Sequence, residues 1–111
     1  MGKWLLTGKA KQDIVDIWRF TQEQWSVEQA ESYLNSLYEK IDLVAEMPAM
    51  GIDCTERLNL GVTVYSIVHA SHVIYYTLTR KQIVIVAVFH QRMTPRQHLS
   101  QRLGRELHKT E

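Results

Sequence analysis

The sequence predicts an α+β domain: an N-terminal strand, an antiparallel helical hairpin packed on a mostly antiparallel β-sheet, and a C-terminal helix. Apolar residues recur every three or four positions as far as Pro48, and after Gly51 they follow the two-residue period of strands. The chain has 111 residues, 45% of them hydrophobic and 23% charged, which is typical of one globular domain. We therefore expect a single domain over residues 1–111.

The first half of the chain predicts a short strand over residues 4–7 and a helix over residues 9–24. A second helix follows and runs to about Met47. Ser26 and Gln29 have the spacing of a capping box at its start. Because one or two residues join the helices, we expect them to form an antiparallel hairpin.

The second half predicts three strands, over residues 62–69, 72–79 and 83–89. The last of these is an unbroken apolar run, which indicates a central strand buried on both faces. From Pro95 onward, leucines recur every four residues and predict a C-terminal helix. Since the hairpin and the sheet are complete before this helix, we expect the fold to survive its removal, with a loss of a few kcal/mol.

Several residue types that often carry chemistry are better explained structurally. His69 and His72 lie three positions apart, an odd spacing that would place them on opposite faces of a strand and argues against a metal pair. Cys54 is the only cysteine, so neither an internal disulfide nor a cysteine zinc cage is possible. Trp18 and Trp25 fall on the apolar face of the first helix and are expected in the core.

Composition also limits the compartment and the cofactors. No apolar run approaches the roughly 20 residues of a membrane span, and the N-terminal apolar segment is too short for a secretory signal. A lone cysteine is consistent with a reducing cytosol. We expect a cytoplasmic protein with no metal, no cofactor and no membrane association.

Charge is divided unevenly along the chain. Residues 1–56 hold five Lys/Arg and ten Asp/Glu, a net of −5, whereas residues 57–111 hold eight Lys/Arg and two Asp/Glu, a net of +6. All five histidines lie in the second half. A basic face would favour an acidic or nucleic-acid-associated partner, unless the two halves interleave in space and cancel.

The densest polar cluster follows the last predicted strand. Arg92 and Arg96 have the chemistry to bind phosphate or carboxylate through two hydrogen bonds each. His90 and His98 have the chemistry to transfer protons near neutral pH. The alternative is a solvated loop followed by an amphipathic helix.

Short motifs run in order through nearly the whole chain: Leu5-Leu6-Thr7 with Ala10 and Asp13-Ile14; Trp25 with Gln29-Ala30 and Tyr33; Leu43-Val44-Ala45 with Pro48 and Gly51; His72-Val73-Ile74-Tyr75-Tyr76; and residues 85–89 followed by His90-Gln91-Arg92-Met93. In this order and spacing the chain resembles the RelE/ParE superfamily of bacterial toxins, most closely its ParE branch. The resemblance implies the toxin of a type II toxin–antitoxin module, neutralised by a cognate antitoxin.

The branch decides the function that the resemblance implies. ParE-like members poison DNA gyrase, whereas RelE-like members cleave mRNA on the ribosome. The basic and acid–base positions of the RelE branch fall here on Val64, Ser66, Val73, Arg92 and His98. Three of the five are apolar or neutral, which removes most of the stabilisation of a phosphorane-like transition state.

We therefore predict a gyrase poison that is not itself an enzyme. The alternative is a ribonuclease that uses Arg92 with His90 or His98. A second alternative is an attenuated, non-toxic antitoxin-binding member, because Val62-Thr63 after Gly61, and Thr77, stand where many ParE members carry arginine.

Two binding surfaces are expected. The acidic residues of the hairpin would meet a basic, amphipathic antitoxin helix: Asp13, Asp16, Glu23 and Glu28. The basic C-terminal segment would face gyrase: Arg92, Met93, Arg96, Arg102 and Arg105. Nucleic acid is expected only through the target complex, and a homodimer within the toxin–antitoxin complex is left open.

Overall fold

A computed structural model describes residues 3–109 of the chain, and the side chains of residues 3–103. The strands are β1 (Trp4–Leu6), β2 (Ile52–Asp53), β3 (Tyr65–His69), β4 (His72–Leu78) and β5 (Ile83–His90). The helices are α1 (Gly8–Gln24), α2 (Val27–Glu46), α3 (Thr55–Leu58) and α4 (Pro95–Lys109), with a 3-10 turn at Pro48–Met50.

The five strands form one sheet in the order β1-β5-β4-β3-β2. β1 pairs with β5 in parallel, and every other neighbouring pair is antiparallel. The predicted α+β class, with a helical hairpin on a mostly antiparallel sheet and a helix at the C-terminal end, is confirmed.

The sheet is covered on both faces. One core joins α1 and α2 to the inward side chains of the sheet, and a second core joins α3 and α4 to its other face. A β-bulge in β5 shifts its register against β4 between Tyr75 and Tyr76. Val86 and Ala87 consequently both belong to the second core, with α3 and α4, whereas Val88 belongs to the core with α1 and α2.

Both hairpin helices begin at a side-chain cap. The Ser26 hydroxyl accepts a hydrogen bond from the Gln29 amide at 3.0 Å, as the capping-box spacing predicts. The Thr7 hydroxyl accepts one from the Ala10 amide at 3.1 Å, so α1 begins at Gly8, one residue before the predicted start.

The segment between the hairpin and β3 contains two elements that the sequence did not predict, β2 and α3. Both are too short to produce a periodic pattern, and hydrogen bonds between nearby residues hold them in place. The Asp53 carboxylate accepts from the Thr55 amide at 3.0 Å and begins α3. The strand predicted from residue 62 begins only at Tyr65, and the preceding Val64 is bonded to the α3 segment, its amide to the Thr55 hydroxyl at 3.1 Å and its carbonyl to the Cys54 amide at 2.9 Å.

One expectation about the core is wrong, and the place of α4 in the core is now defined. Trp25 is 76% exposed and lies outside the core, because α1 ends beside it and the chain turns into α2. Leu99 is fully buried and Leu103 nearly so, against the second sheet face. α4 therefore supplies part of this core, and survival of the fold without α4 stays a prediction. Leu107 lies outside the residues whose side chains are described.

Candidate partner-binding groove

A groove of about 630 Å³ lies between α1, the start of α2 and the ends of β4 and β5. Its wall is largely apolar, and polar groups are concentrated at two places. Its main lining residues are Asp13, Asp16, Ile17, Phe20, Trp25, Tyr33, His72, Val88, His90 and Met93.

Large apolar side chains stand exposed along this groove. Phe20 is 63% exposed, Trp25 76% and Met93 36%. Scattered single apolar residues are normal on a protein surface, but a contiguous set around a concave site indicates an interaction surface. Aromatic residues and methionine are also the types enriched at protein interfaces.

One end of the groove is built from histidines and a tyrosine. The Tyr33 hydroxyl lies 2.6 Å from His72 Nδ1 and 3.4 Å from the His69 carbonyl oxygen. The rings of His72 and His90 are 5.5 Å apart and meet edge to face. His69 is held on the far side, with Nε2 2.9 Å from the Ser36 hydroxyl.

Burial changes the acid–base properties of this cluster. It lowers the pKa of His72 from the ordinary value of 6.5, and the neighbouring imidazoles of His90 and His69 lower it further. Burial, with a smaller contribution from Lys40, also lowers the pKa of His69. Burial raises the pKa of Tyr33. At neutral pH, His69 and His72 are therefore uncharged imidazoles.

The pairing of His69 with His72 corrects the expectation that they occupy opposite faces. They belong to two strands joined by the two-residue turn Ala70-Ser71, and they lie directly opposite each other in the β3–β4 register. Both rings contact Tyr33, at 5.7 and 5.5 Å between centroids. The alternation argument fails because it holds only within one strand.

The acidic side of the groove is formed by α1. Asp13 is bound to Arg102 through two contacts, Oδ2 to Nη1 at 2.7 Å and Oδ1 to Nη2 at 2.8 Å. Arg102 Nη1 also donates to the Val86 carbonyl, and the guanidinium carbon lies 4.7 Å from the centre of the Phe89 ring. Asp16 is exposed, and its carboxylate accepts a hydrogen bond from the side-chain amide of Gln12 at 2.9 Å.

This ion pair involves two predicted site residues, and it places both of them differently from the expectation. Asp13 was expected on the antitoxin surface and Arg102 on the target surface, but their half-buried side chains bind each other. Arg102 thus anchors α4 and does not contribute a free cation, which corrects its expected position on an exposed cationic face. Sequence offered no signal for this contact between residues 89 positions apart.

The other predicted residues are divided among different surfaces. Arg92 and Arg96 are exposed beyond β5, and Arg96 Nε donates to the Leu58 carbonyl at 3.2 Å. Glu23 is exposed away from the groove, and Glu28 lines a shallow depression on the outer face of α2. The side chain of Arg105 lies outside the described residues.

The histidines of the ribonuclease alternative lie on opposite faces of the sheet. His90 faces the hairpin, beside His72, whereas His98 packs on Phe89 in the α4 layer at 5.6 Å. Val64 and Ser66, at the positions of the RelE lysines, are buried. The structure therefore does not bring Arg92, His90 and His98 together around one reacting group.

Other candidate sites carry less chemistry. Cys54 is buried, with Sγ 3.3 Å from the Val64 carbonyl oxygen. Among the side chains of residues 3–103, no group of three or more His, Cys, Asp or Glu could hold a metal ion. None of the described helices is both long and apolar enough to cross a membrane.

Sequence comparison identifies the family. Residues 5–95 match the model of the ParE toxin of the type II toxin–antitoxin system, parDE. The chain belongs to the ParE toxin family. The groove lies entirely within the matched residues, since its lining runs from Asp13 to Met93.

Individual relatives agree with this assignment. Toxin ParE1 of Caulobacter vibrioides is 36% identical over 99 residues, covering 89% of this chain and 99% of the relative. Toxin ParE1 of Mycobacterium tuberculosis is 35% identical over 98 residues, covering 82% and 91%. A solved structure described as the chromosomal ParDE TA system from P. aeruginosa matches with a TM-score of 0.68 at 15% identity, over 81% of this chain and 96% of that chain, and shows the shared fold.

For this ParE-family chain, sequence reasoning missed two groups in the groove. Phe20 and Trp25 were assigned to no site, although two large aromatic residues close to the end of α1 are a readable signal. The Tyr33–His72 contact was also missed. The predicted two-residue turn places His69 and His72 side by side, but it does not predict that α2 presents Tyr33 to them.

Proposed function

We propose that this chain poisons DNA gyrase, and that a cognate antitoxin neutralises it by occupying the groove between the hairpin and the sheet. The observation that carries the proposal is the ParE match over residues 5–95, which includes the groove and the exit of β5. The proposed site of action is the cytoplasm, where gyrase meets DNA.

The proposed chemistry belongs to gyrase, not to this chain. A poison of this kind traps the enzyme while its DNA is cut, so it needs a binding surface and no catalytic group of its own. The burial of Val64 and Ser66, where the RelE branch carries lysines, supports this assignment over the ribonuclease alternative.

The proposed target surface is smaller than the one expected from the sequence. Arg92 and Arg96 remain as exposed cations next to the exit of β5, whereas Arg102 is paired with Asp13. Arginine can bind phosphate and carboxylate through two parallel hydrogen bonds, and both are present on gyrase holding cleaved DNA.

A plasmid assay tests gyrase poisoning directly. Purified chain is incubated with gyrase, ATP and supercoiled plasmid, and linear DNA is quantified after protease treatment. We expect linear plasmid to accumulate with the wild type and to decrease in Arg92→Ala. Arg80→Ala is the matched control, because Arg80 is an exposed arginine in the turn at the opposite end of β5.

Adding the cognate antitoxin should abolish the linear product. Phe20→Ala and Trp25→Ala should weaken this neutralisation, since both remove apolar surface from the groove. Absence of linear plasmid at every concentration would contradict gyrase poisoning. mRNA cleavage in a ribosome toeprint that His90→Ala abolishes would instead support the ribonuclease alternative.

A further inference from the structure

We propose that the His72–His90 pair binds a carboxylate side chain of the antitoxin segment that occupies the groove. This inference rests on the proposed function in one respect, because it takes the antitoxin as the occupant. It adds the chemistry of recognition: an acidic group at the histidine end, beside apolar groups along the Phe20, Trp25 and Met93 wall.

The two imidazoles form one recognition unit. His72 and His90 are directly opposite each other in the β4–β5 register, so their side chains emerge on the same face. Their rings are 5.5 Å apart, and both line the groove. A carboxylate has two oxygens, each able to accept hydrogen bonds, and suits two adjacent donors.

The chain's own hydrogen bonds set which nitrogen of each ring faces a ligand. The Arg92 backbone amide, which can only donate, lies 3.2 Å from His90 Nδ1. Nδ1 of His90 is therefore an acceptor, and the proton of the neutral ring sits on Nε2. The Tyr33 hydroxyl lies 2.6 Å from Nδ1 of His72, so Nδ1 is occupied by Tyr33 whichever of the two donates, and Nε2 is the nitrogen left to face a ligand.

The Nε2 atoms of both rings thus remain at one end of the groove, and both can donate to a carboxylate once His72 is protonated. Among the described residues, no hydrogen bond involves Nε2 of His72 or of His90. A partner that buried this end without supplying an acceptor would leave a polar group unsatisfied, which disfavours binding. The geometry therefore favours a partner that presents an acceptor there.

Charges around the cluster indicate a protein carboxylate and not a polyanion. From α1, the groove carries Asp13, which is paired with Arg102, and the exposed Asp16. From the other side, His69 approaches His72, with Lys40 near His69, and Tyr33 covers His72 from α2. A nucleic acid would bring several phosphates against Asp16, whereas one acidic side chain on an apolar segment avoids it.

Binding of a carboxylate at His72 has a proton linkage with a defined sign. The free ring is neutral at pH 7, because burial and the neighbouring imidazoles lower its pKa. A bound carboxylate favours the imidazolium and raises that pKa in the complex. Protons are then taken up on binding, so affinity rises as pH falls, by at most about tenfold per pH unit for one group.

Protonation is compatible with the existing bonds. Protonated Nδ1 of His72 would donate to the Tyr33 oxygen, and the Tyr33 hydroxyl would turn toward the His69 carbonyl oxygen, now 3.4 Å away. The cluster therefore accepts the proton by reversing one hydrogen bond, with no buried group left without a partner.

The test measures the Kd of the purified cognate antitoxin by calorimetry between about pH 6 and about pH 8, the range in which imidazole titrates. We expect the wild type to bind several-fold more tightly at the acidic end. His72→Gln and His90→Gln should weaken binding and flatten this dependence. His98→Gln is the matched control, because His98 lies in the α4 layer and should leave both unchanged.

The controls separate this inference from the proposed function. If Phe20→Ala weakens binding but the pH dependence of both histidine variants equals that of the wild type, the groove is the binding site and the carboxylate proposal is wrong. If Phe20→Ala and Trp25→Ala bind the antitoxin like the wild type, the groove is not the antitoxin-binding site. The carboxylate proposal and the antitoxin part of the proposed function then both fail. His90→Gln keeps the test decisive if His72→Gln does not fold, since His90 is exposed.

A double-mutant cycle identifies the partner group. Each Asp or Glu of the antitoxin's toxin-binding segment is changed to Asn or Gln and measured against wild type and His90→Gln. One acidic position should couple to His90 by about threefold or more in Kd. Absence of coupling at every acidic position would overturn the proposal.

Discussion

The Asp13 carboxylate and the Arg102 guanidinium form a two-point ion pair across the edge of β5, where β1 no longer covers it. β1 ends at Leu6, opposite Ile85. Beyond that point the Val88 amide donates to Asp13 Oδ2 at 2.9 Å, and the Val86 carbonyl accepts from Arg102 at 2.9 Å. The pair therefore joins α1 to α4 and satisfies backbone groups of β5.

Removing the carboxylate should destabilise the fold. In Asp13→Asn the half-buried guanidinium of Arg102 loses its counter-ion, and the Val88 amide loses a charged acceptor. We expect a loss of about 1–3 kcal/mol in the free energy of urea unfolding. Asp16→Asn is the control, three residues along the same helix but exposed, and should change it by less than about 0.5 kcal/mol.

Truncating one leucine of α4 tests whether this helix is part of the folded core. Leu99→Ala removes a fully buried side chain from the second core and should cost about 2–5 kcal/mol in chemical denaturation. The exposed neighbour Gln101→Ala should be nearly neutral. Equal stability of the two variants would contradict a contribution of α4 to the folded core.

The exit from the hairpin requires a glycine at position 51. A Cβ there would collide with the Tyr76 hydroxyl, which donates to the Pro48 carbonyl at 2.7 Å. Gly51→Ala should lower the thermal midpoint, by an amount corresponding to about 1–3 kcal/mol. The same substitution should cost less when Tyr76→Phe has removed the hydroxyl. Gly8→Ala, where a Cβ meets open space, should be tolerated.

The folding stability of the free chain should decrease as pH falls, whereas its affinity for the antitoxin should increase. The pKa values of His69 and His72 are lowered below 6.5 in the folded chain, so the unfolded chain binds more protons as pH falls through that value. Thermal unfolding followed by circular dichroism should show a midpoint temperature that decreases as the pH is lowered from about 7.5 to about 5.5. His72→Gln should flatten this decrease, and a midpoint independent of pH in the wild type would refute it.

The elements that the sequence predicted are those whose pattern is local. The helical stripe, the Ser26 cap and the apolar run of β5 each lie within a few turns or one strand. β2 depends on pairing with β3, and α3 depends on bonds between Asp53, Thr55 and Val64, so neither has a periodic signature. Long-range pairing overrides local propensity at such places.

The groove was predicted only in part, for the same reason. Asp16 and Met93 were assigned to two different surfaces, yet both line it. Their proximity depends on how α1 crosses the end of β5, which sequence spacing does not encode. Tyr33 and His72 meet across 39 positions, and no motif of either element alone predicts the hydrogen bond between them.

The closure of β5 by Asp13 and Arg102 also bears on self-association. An unpaired strand edge is a template on which a second copy can add its own strand, and repetition of that step yields aggregates. Here the Val88 amide and the Val86 carbonyl are already occupied by charged side chains. A second copy that extended the sheet through this edge would first have to break the half-buried ion pair. This requirement protects the chain against polymerising along β5.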